Sequence, residues 1–181
     1  MRELMLCMVL CGPALANGCP EAPDHSGRLS ALFKSVGEAP DERSARKISN
    51  RMWELWTDAP NQRAQELLDE GMTRREAYDF AGAMDAFDAL VSYCPDYAEG
   101  YNQRAFISYL RRDFEAALTD LEKALSLSPR HVGAMTGQAL ALIGLERNAE
   151  AVLVLREALT FNPWLGERHL LEMLEAEESE L

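Results

Sequence analysis

Between residues 41 and 57 the apolar positions Met52, Leu55 and Trp56 fall at i, i+3 and i+4, so one face of a helix there is apolar and the remainder polar. Further along, the pattern repeats as a unit. Prolines 95, 129 and 163 recur every 34 residues, and counting back from each starts three units at Ala64, Ala98 and Val132. Within these units a small residue recurs at Gly71, Ala105 and Ala139, and another at Ala83, Ala117 and Ala151. A large apolar residue follows at Phe87, Leu121 and Leu155, then Leu90, Ala124 and Ala158; the earlier large position holds Leu67, Tyr101 and Met135. The spacing predicts helix, short turn, helix in each unit. Small residues let paired helices approach, the large one fills the space between units, and proline ends the second helix because it has no amide proton and clashes with the preceding turn. Asp79-Phe80 and Asp113-Phe114 mark two of the turns, with an acidic residue where a helix start prefers one; the third unit has Arg147-Asn148 there.

These residues resemble the tetratricopeptide-repeat family over Ala64 to Leu165. The resemblance implies an all-α solenoid of antiparallel helix pairs, with full repeats at 64–97, 98–131 and 132–165. Upstream, Gly27 to Gly37 and Asp41 to Thr57, separated by Pro40 and ending in Pro60, read as a degenerate helix pair over 27–60. The apolar face of its second helix is expected to bury against the first full unit and cap the array. Downstream, residues 166–181 read as a capping helix running into an acidic tail, which keeps the end of a stacked array soluble.

Composition narrows the function classes. The chain of 181 residues suits one domain, and 48% hydrophobic with 27% charged residues suits a soluble helical one. Thirty acidic residues against 18 basic ones give a net charge of −12, a field that repels phosphate backbones, so nucleic acid is not an expected partner. Residues 1–16 read as a secretory signal: Arg2, an apolar run from Leu4 to Leu10, Pro13, then Ala14-Leu15-Ala16 with cleavage after Ala16. The run is shorter than the roughly 20 residues a span requires, so no integral membrane segment is expected. Lipidation at Cys19 is disfavoured because Ala16-Asn17-Gly18 lacks the apolar residue expected before it. The mature protein is then expected in the compartment beyond the inner membrane, the periplasm in a bacterium, with a flexible leader over 17–26. Cys19 and Cys94 are the two cysteines that remain after cleavage, and an oxidising compartment favours a disulfide between them.

No nucleophile motif, phosphate loop or paired-cysteine metal site is present, and neither cofactor nor metal is expected. His25, His131 and His169 have no ligand partner at helical spacing and read as solvated side chains. Recognition of a protein or peptide is the expected function. In the family the first helix of each unit lines a concave surface. The matching positions are Leu68, Met72 and Arg75, then Asn102, Phe106 and Tyr109, then Thr136, Leu140 and Ile143. The family's Lys, Asn and Arg clamp for acidic chaperone tails is missing, since Leu68, Met72, Gly133 and Gly137 stand at its positions. An exported adaptor for envelope protein assembly or maturation is the leading expectation. Self-association through the groove, giving a homo-oligomer, and a thiol-linked redox role for Cys94 are the alternatives.

Overall fold

The computed structural model describes residues 18–179, with side chains to Ala176; the signal segment 1–16 lies outside the described residues. Among them are nine helices: α1 (Ser26–Gly37), α2 (Glu42–Trp56), α3 (Gln62–Glu76), α4 (Phe80–Tyr93), α5 (Ala98–Leu110), α6 (Phe114–Leu127), α7 (Val132–Gly144), α8 (Asn148–Phe161) and α9 (Arg168–Ser179). The pairs α3/α4, α5/α6 and α7/α8 are the three repeats, and the fold is an all-α tetratricopeptide-repeat solenoid. Each spacing position does the job its size implies. Ala83, Ala117 and Ala151 have no exposed surface, and Phe87, Leu121 and Leu155 are buried beside them. A methyl group added at Gly71 would come within 2.4 Å of the Phe87 ring, so only glycine admits that ring there.

The turn inside each repeat is built the same way three times. Tyr78, Arg112 and Glu146 adopt φ of 60°, 62° and 60°, and the amides of Asp79, Asp113 and Arg147 reach back to the carbonyls of Arg74, Ser108 and Leu142 at 2.9 Å. This left-handed closure with a six-to-one hydrogen bond ends the first helix. Asp79 and Asp113 then cap the second helix by accepting from the amides of Gly82 and Ala116, while Arg147 makes no such bond.

The N-terminal helix pair departs from the expected stacking. Met52, Leu55 and Trp56 of α2, with Leu32 and Val36 of α1, pack against Val132, Phe161, Trp164 and Leu165 of the third repeat. The core under α3 and α4 receives Cys19 and Ala22 from the leader and no residue of α1 or α2. Polar contacts follow the same path: Asn162 Nδ2 donates to Ser49 Oγ at 3.1 Å, Arg168 to Glu42 at 3.2 Å, and Arg130 to Ser30 Oγ at 3.0 Å. The hairpin therefore lies across the loops that join the repeats. The physical reason is aromatic area. Phe33, Trp53 and Trp56 find Phe161 and the His131 ring there, at centroid distances of 5.6, 5.9 and 4.2 Å respectively.

The leader is tied down as well. Cys19 and Cys94 are joined in a disulfide with α carbons 5.0 Å apart, inside the range a bridge requires. His25 lies 2.7 Å from Asp58 through Nε2.

Candidate functional site

The first helices of the repeats, α3, α5 and α7, line one side of a cavity of about 700 Å³, and the displaced hairpin supplies the opposing wall through α2. Of the residues expected to face a groove, Met72, Arg75, Asn102, Phe106, Tyr109, Thr136 and Leu140 line this cavity. Two do not. Leu68 is wholly buried in the core between α3 and α4, and Ile143 packs against the core of the second and third repeats. Each sits on the flank of its helix that faces a neighbouring helix, where burial of a branched aliphatic chain outweighs exposure to the groove.

Met72, Phe106 and Leu140 form the apolar row of the groove. Phe106 remains 43% exposed, whereas Met72 and Leu140 are half-buried. Arg75 Nη1 donates to Gln103 Oε1, and its guanidinium lies 5.4 Å from the centre of the Phe106 ring, which fixes over the row the only lining cation among the described residues. The opposing wall carries Trp53, 37% exposed, with Asn50, Glu54 and Thr57. Trp53 rests on the start of α7 because Gly133 leaves room for it: a methyl group there would stand 2.9 Å from the indole. Glu167, ahead of α9, closes the lining.

Behind the groove lies a buried polar chain. Glu99 is 1% exposed and accepts hydrogen bonds from Asn102 at 3.1 Å, Gln103 at 2.5 Å and His131 at 2.8 Å. His131, expected in solvent, has no exposed surface. Its Nδ1 accepts from the Ala134 amide and caps α7, so Nε2 is the donor to Glu99. The ring then stacks on Trp56 at an interplanar angle of 16°. His131 thus joins the hairpin to the second and third repeats. Tyr97 performs a similar task by donating to the Trp56 carbonyl at 2.8 Å, and burial pushes its phenol pKa upward. On the α5/α6 side, the Asp120 carboxylate hydrogen-bonded to Arg104 holds that guanidinium above its ordinary range.

Gln103, which stands near the middle asparagine of the family's clamp, lines the cavity beside Asn102, whereas Trp53 and Glu54 are not among the groove positions read from the sequence and enter only through the position of α2. Among the described residues no group of His, Cys, Asp and Glu is arranged to hold a metal ion, and no helix is long and apolar enough to cross a membrane.

Comparison with known proteins agrees with this geometry. Residues 98–131 match the tetratricopeptide repeat family model. A TPR repeat-containing protein of Rhizobium etli is 30% identical over 115 residues, covering 64% of this chain and 56% of that protein. The tetratricopeptide repeat protein 36 homolog of Nematostella vectensis is 46% identical over 77 residues, 42% of each chain. The chain thus spans about half the length of the curated relatives it matches. Among solved structures, the TPR2B domain of yeast Sti1, in its complex with pHsp70, superimposes with a TM-score of 0.59 at 25% identity, covering 66% of this chain and 98% of that one. The chain carries a tetratricopeptide repeat at residues 98–131 and folds as an all-α tetratricopeptide-repeat solenoid.

Proposed function

We propose that this protein acts by binding, as an adaptor that holds a segment of a partner protein in the cavity between α2 and the first helices of its repeats. The observation that carries this reading is the row Met72, Phe106 and Leu140, in which Phe106 stays 43% exposed while lining a cavity of about 700 Å³. An apolar row held open on a solvated surface is characteristic of a binding site, and a pliable methionine beside a ring suits a peptide. That the yeast domain of the same fold is in complex with pHsp70 supports the same use of the groove. Among the described residues the buried carboxylates, Glu99 and Asp120, are committed elsewhere, Glu99 to three donors and Asp120 to Arg104, which favours binding over acid–base catalysis.

The finer part of the proposal is that the chain is exported, with residues 1–16 removed, and serves envelope protein assembly or maturation. The signal-like order of residues 1–16 supports export, as does a disulfide, a bond that persists in oxidising compartments. The thiol-exchange reading is disfavoured because Cys94 is 1% exposed and already bonded to Cys19.

The test is photocrosslinking in the native host, with a photoreactive phenylalanine analogue placed at Phe106 or at Leu153, which is 64% exposed on α8 and outside the cavity. A discrete heterologous adduct at position 106 alone is expected. With the analogue moved to Leu140, which also lines the cavity, Phe106→Ser should abolish the adduct formed there while costing less than about 1 kcal/mol, far below the 3–5 kcal/mol of a fully buried aromatic. Adducts with a second copy of the chain would instead establish self-association. A large loss of stability in the serine variant would return Phe106 to the core.

A further inference from the structure

We infer that the segment held in this groove is cationic, an apolar anchor followed within a few residues by lysine or arginine. This rests on the groove reading above and adds the chemistry of the partner.

The charges in the cavity lining do not balance. Among the described residues Arg75 is the one cation of the lining, and it is already engaged by Gln103 Oε1 and by the face of Phe106. Glu54 on α2 and Glu167 ahead of α9 also line the cavity, and neither carboxylate has a hydrogen-bond or ion-pair partner among the described residues. The nearby arginines Arg46 and Arg168 both turn to Glu42, at 3.0 and 3.2 Å, and neither lines the cavity. Two acidic residues with no carboxylate partner among the described residues therefore line a concave, largely apolar space. Low-dielectric walls focus their field into it, and a net charge of −12 over the whole chain adds the same sign.

A ligand cation is the natural complement. Trp53 precedes Glu54 on the same helix and leaves 37% of its surface open, so a lysine or arginine stem can lie along the indole while its head reaches the carboxylates. The apolar anchor then meets Met72, Phe106 and Leu140. An acidic tail, of the kind held by the family's Lys, Asn and Arg clamp, would meet Glu54 and Glu167 without a free cation to receive it. A second copy of this chain is a poor occupant for the same reason, because it carries the same net negative charge.

The experiment is fluorescence anisotropy of the chain with two labelled synthetic peptides, Ala-Leu-Phe-Ala-Leu-Lys-Lys and its counterpart ending in Glu-Glu. At low salt the basic peptide should bind about tenfold tighter or more, and the ratio should shrink as salt screens it. The double variant Glu54→Gln with Glu167→Gln should bring the ratio close to one, and Glu54→Lys with Glu167→Lys should invert it. Unchanged circular dichroism and melting of both variants would exclude misfolding as the cause. Equal binding of both peptides, each lost on Phe106→Ser, overturns the charge inference and leaves the groove reading standing. A ratio unaffected by either double variant also overturns the inference. Failure of both peptides to bind up to about 1 mM, the weakest range for specific recognition, overturns the inference and the groove reading together.

Discussion

Tyr78, Arg112 and Glu146 show what individual residues contribute to the repeat and where they strain it. All three hold φ near 60°, a region that costs an L-residue roughly 1–2 kcal/mol and that glycine enters freely. Arg112 is the cleanest to test, since it is exposed and no side-chain hydrogen bond or ion pair among the described residues fixes it. Glycine also loses more entropy on folding, about 0.5–1 kcal/mol, so the two effects partly offset. Arg112→Gly should stabilise the chain by about 0.5–1 kcal/mol, measured as a higher urea midpoint with unchanged slope. Arg112→Val should lower that midpoint, and a drop in the glycine variant as well would show that the turn stores no strain. Legibility at this scale divides by mechanism. Gly71, Ala83, Phe87 and their repeats were readable because steric fit at a helix crossing recurs with the period. His131 was not, because a lone histidine in a loop carries no periodic signal. Its burial depends on Trp56, which is distant in sequence. Leu68 falls in the core and not in the groove because the two positions differ by a small rotation of one helix.

At the scale of elements, the sequence marked α1 and α2 as helices and marked which face of α2 is apolar, but not what that face would meet. Pro60 stands 35 residues before Pro95, which reads as one more unit in register. Periodicity reports the face of a helix and is silent about its partner, so the sequence points only to the nearest core along the chain. The aromatic surface at the ends of the third repeat outweighed it, and the leader covers the first repeat instead. A consequence separates the two arrangements. Phe161 belongs to α8, yet its ring stands 5.6 Å from Phe33 of α1. Phe161→Ala should cost up to about 3 kcal/mol and raise amide hydrogen exchange in α1 and α2 more than in α3 and α4. Leu67→Ala, in the core of α3 and α4, should leave the hairpin's exchange no faster than that of its own repeat. Exchange in α1 that ignores Phe161→Ala would place the hairpin elsewhere. Because α2 is a wall of the cavity, the same displacement explains why Trp53 and Glu54 were invisible as site residues.

For the molecule as a whole, the exposed end of a repeat array is its weak point, since each repeat buries its core against neighbours and the first has none before it. Here residues 19–25 stand in for the missing neighbour. Cys19 and Ala22 pack on the core of α3 and α4, and the disulfide to Cys94 anchors them across 75 residues of sequence. A loop of that length, closed in the unfolded chain, gives a stabilisation of about 4 kcal/mol in the chain-entropy model. Cys94 is 1% exposed, so replacing it would also bury a hydroxyl; Cys19, half-buried, is the better position to change. Cys19→Ser should lower the urea-derived stability by about 4 kcal/mol, and the native chain in excess dithiol reductant should fall to the same value. The serine variant should be indifferent to the reductant. The loss should also appear first at the ends of α3 and α4, as faster amide exchange, before the second and third repeats respond, because the interface uncovered is the one the leader protects. A native chain whose stability is the same with and without reductant would mean that packing of the leader, and not the covalent tie, closes this end of the solenoid.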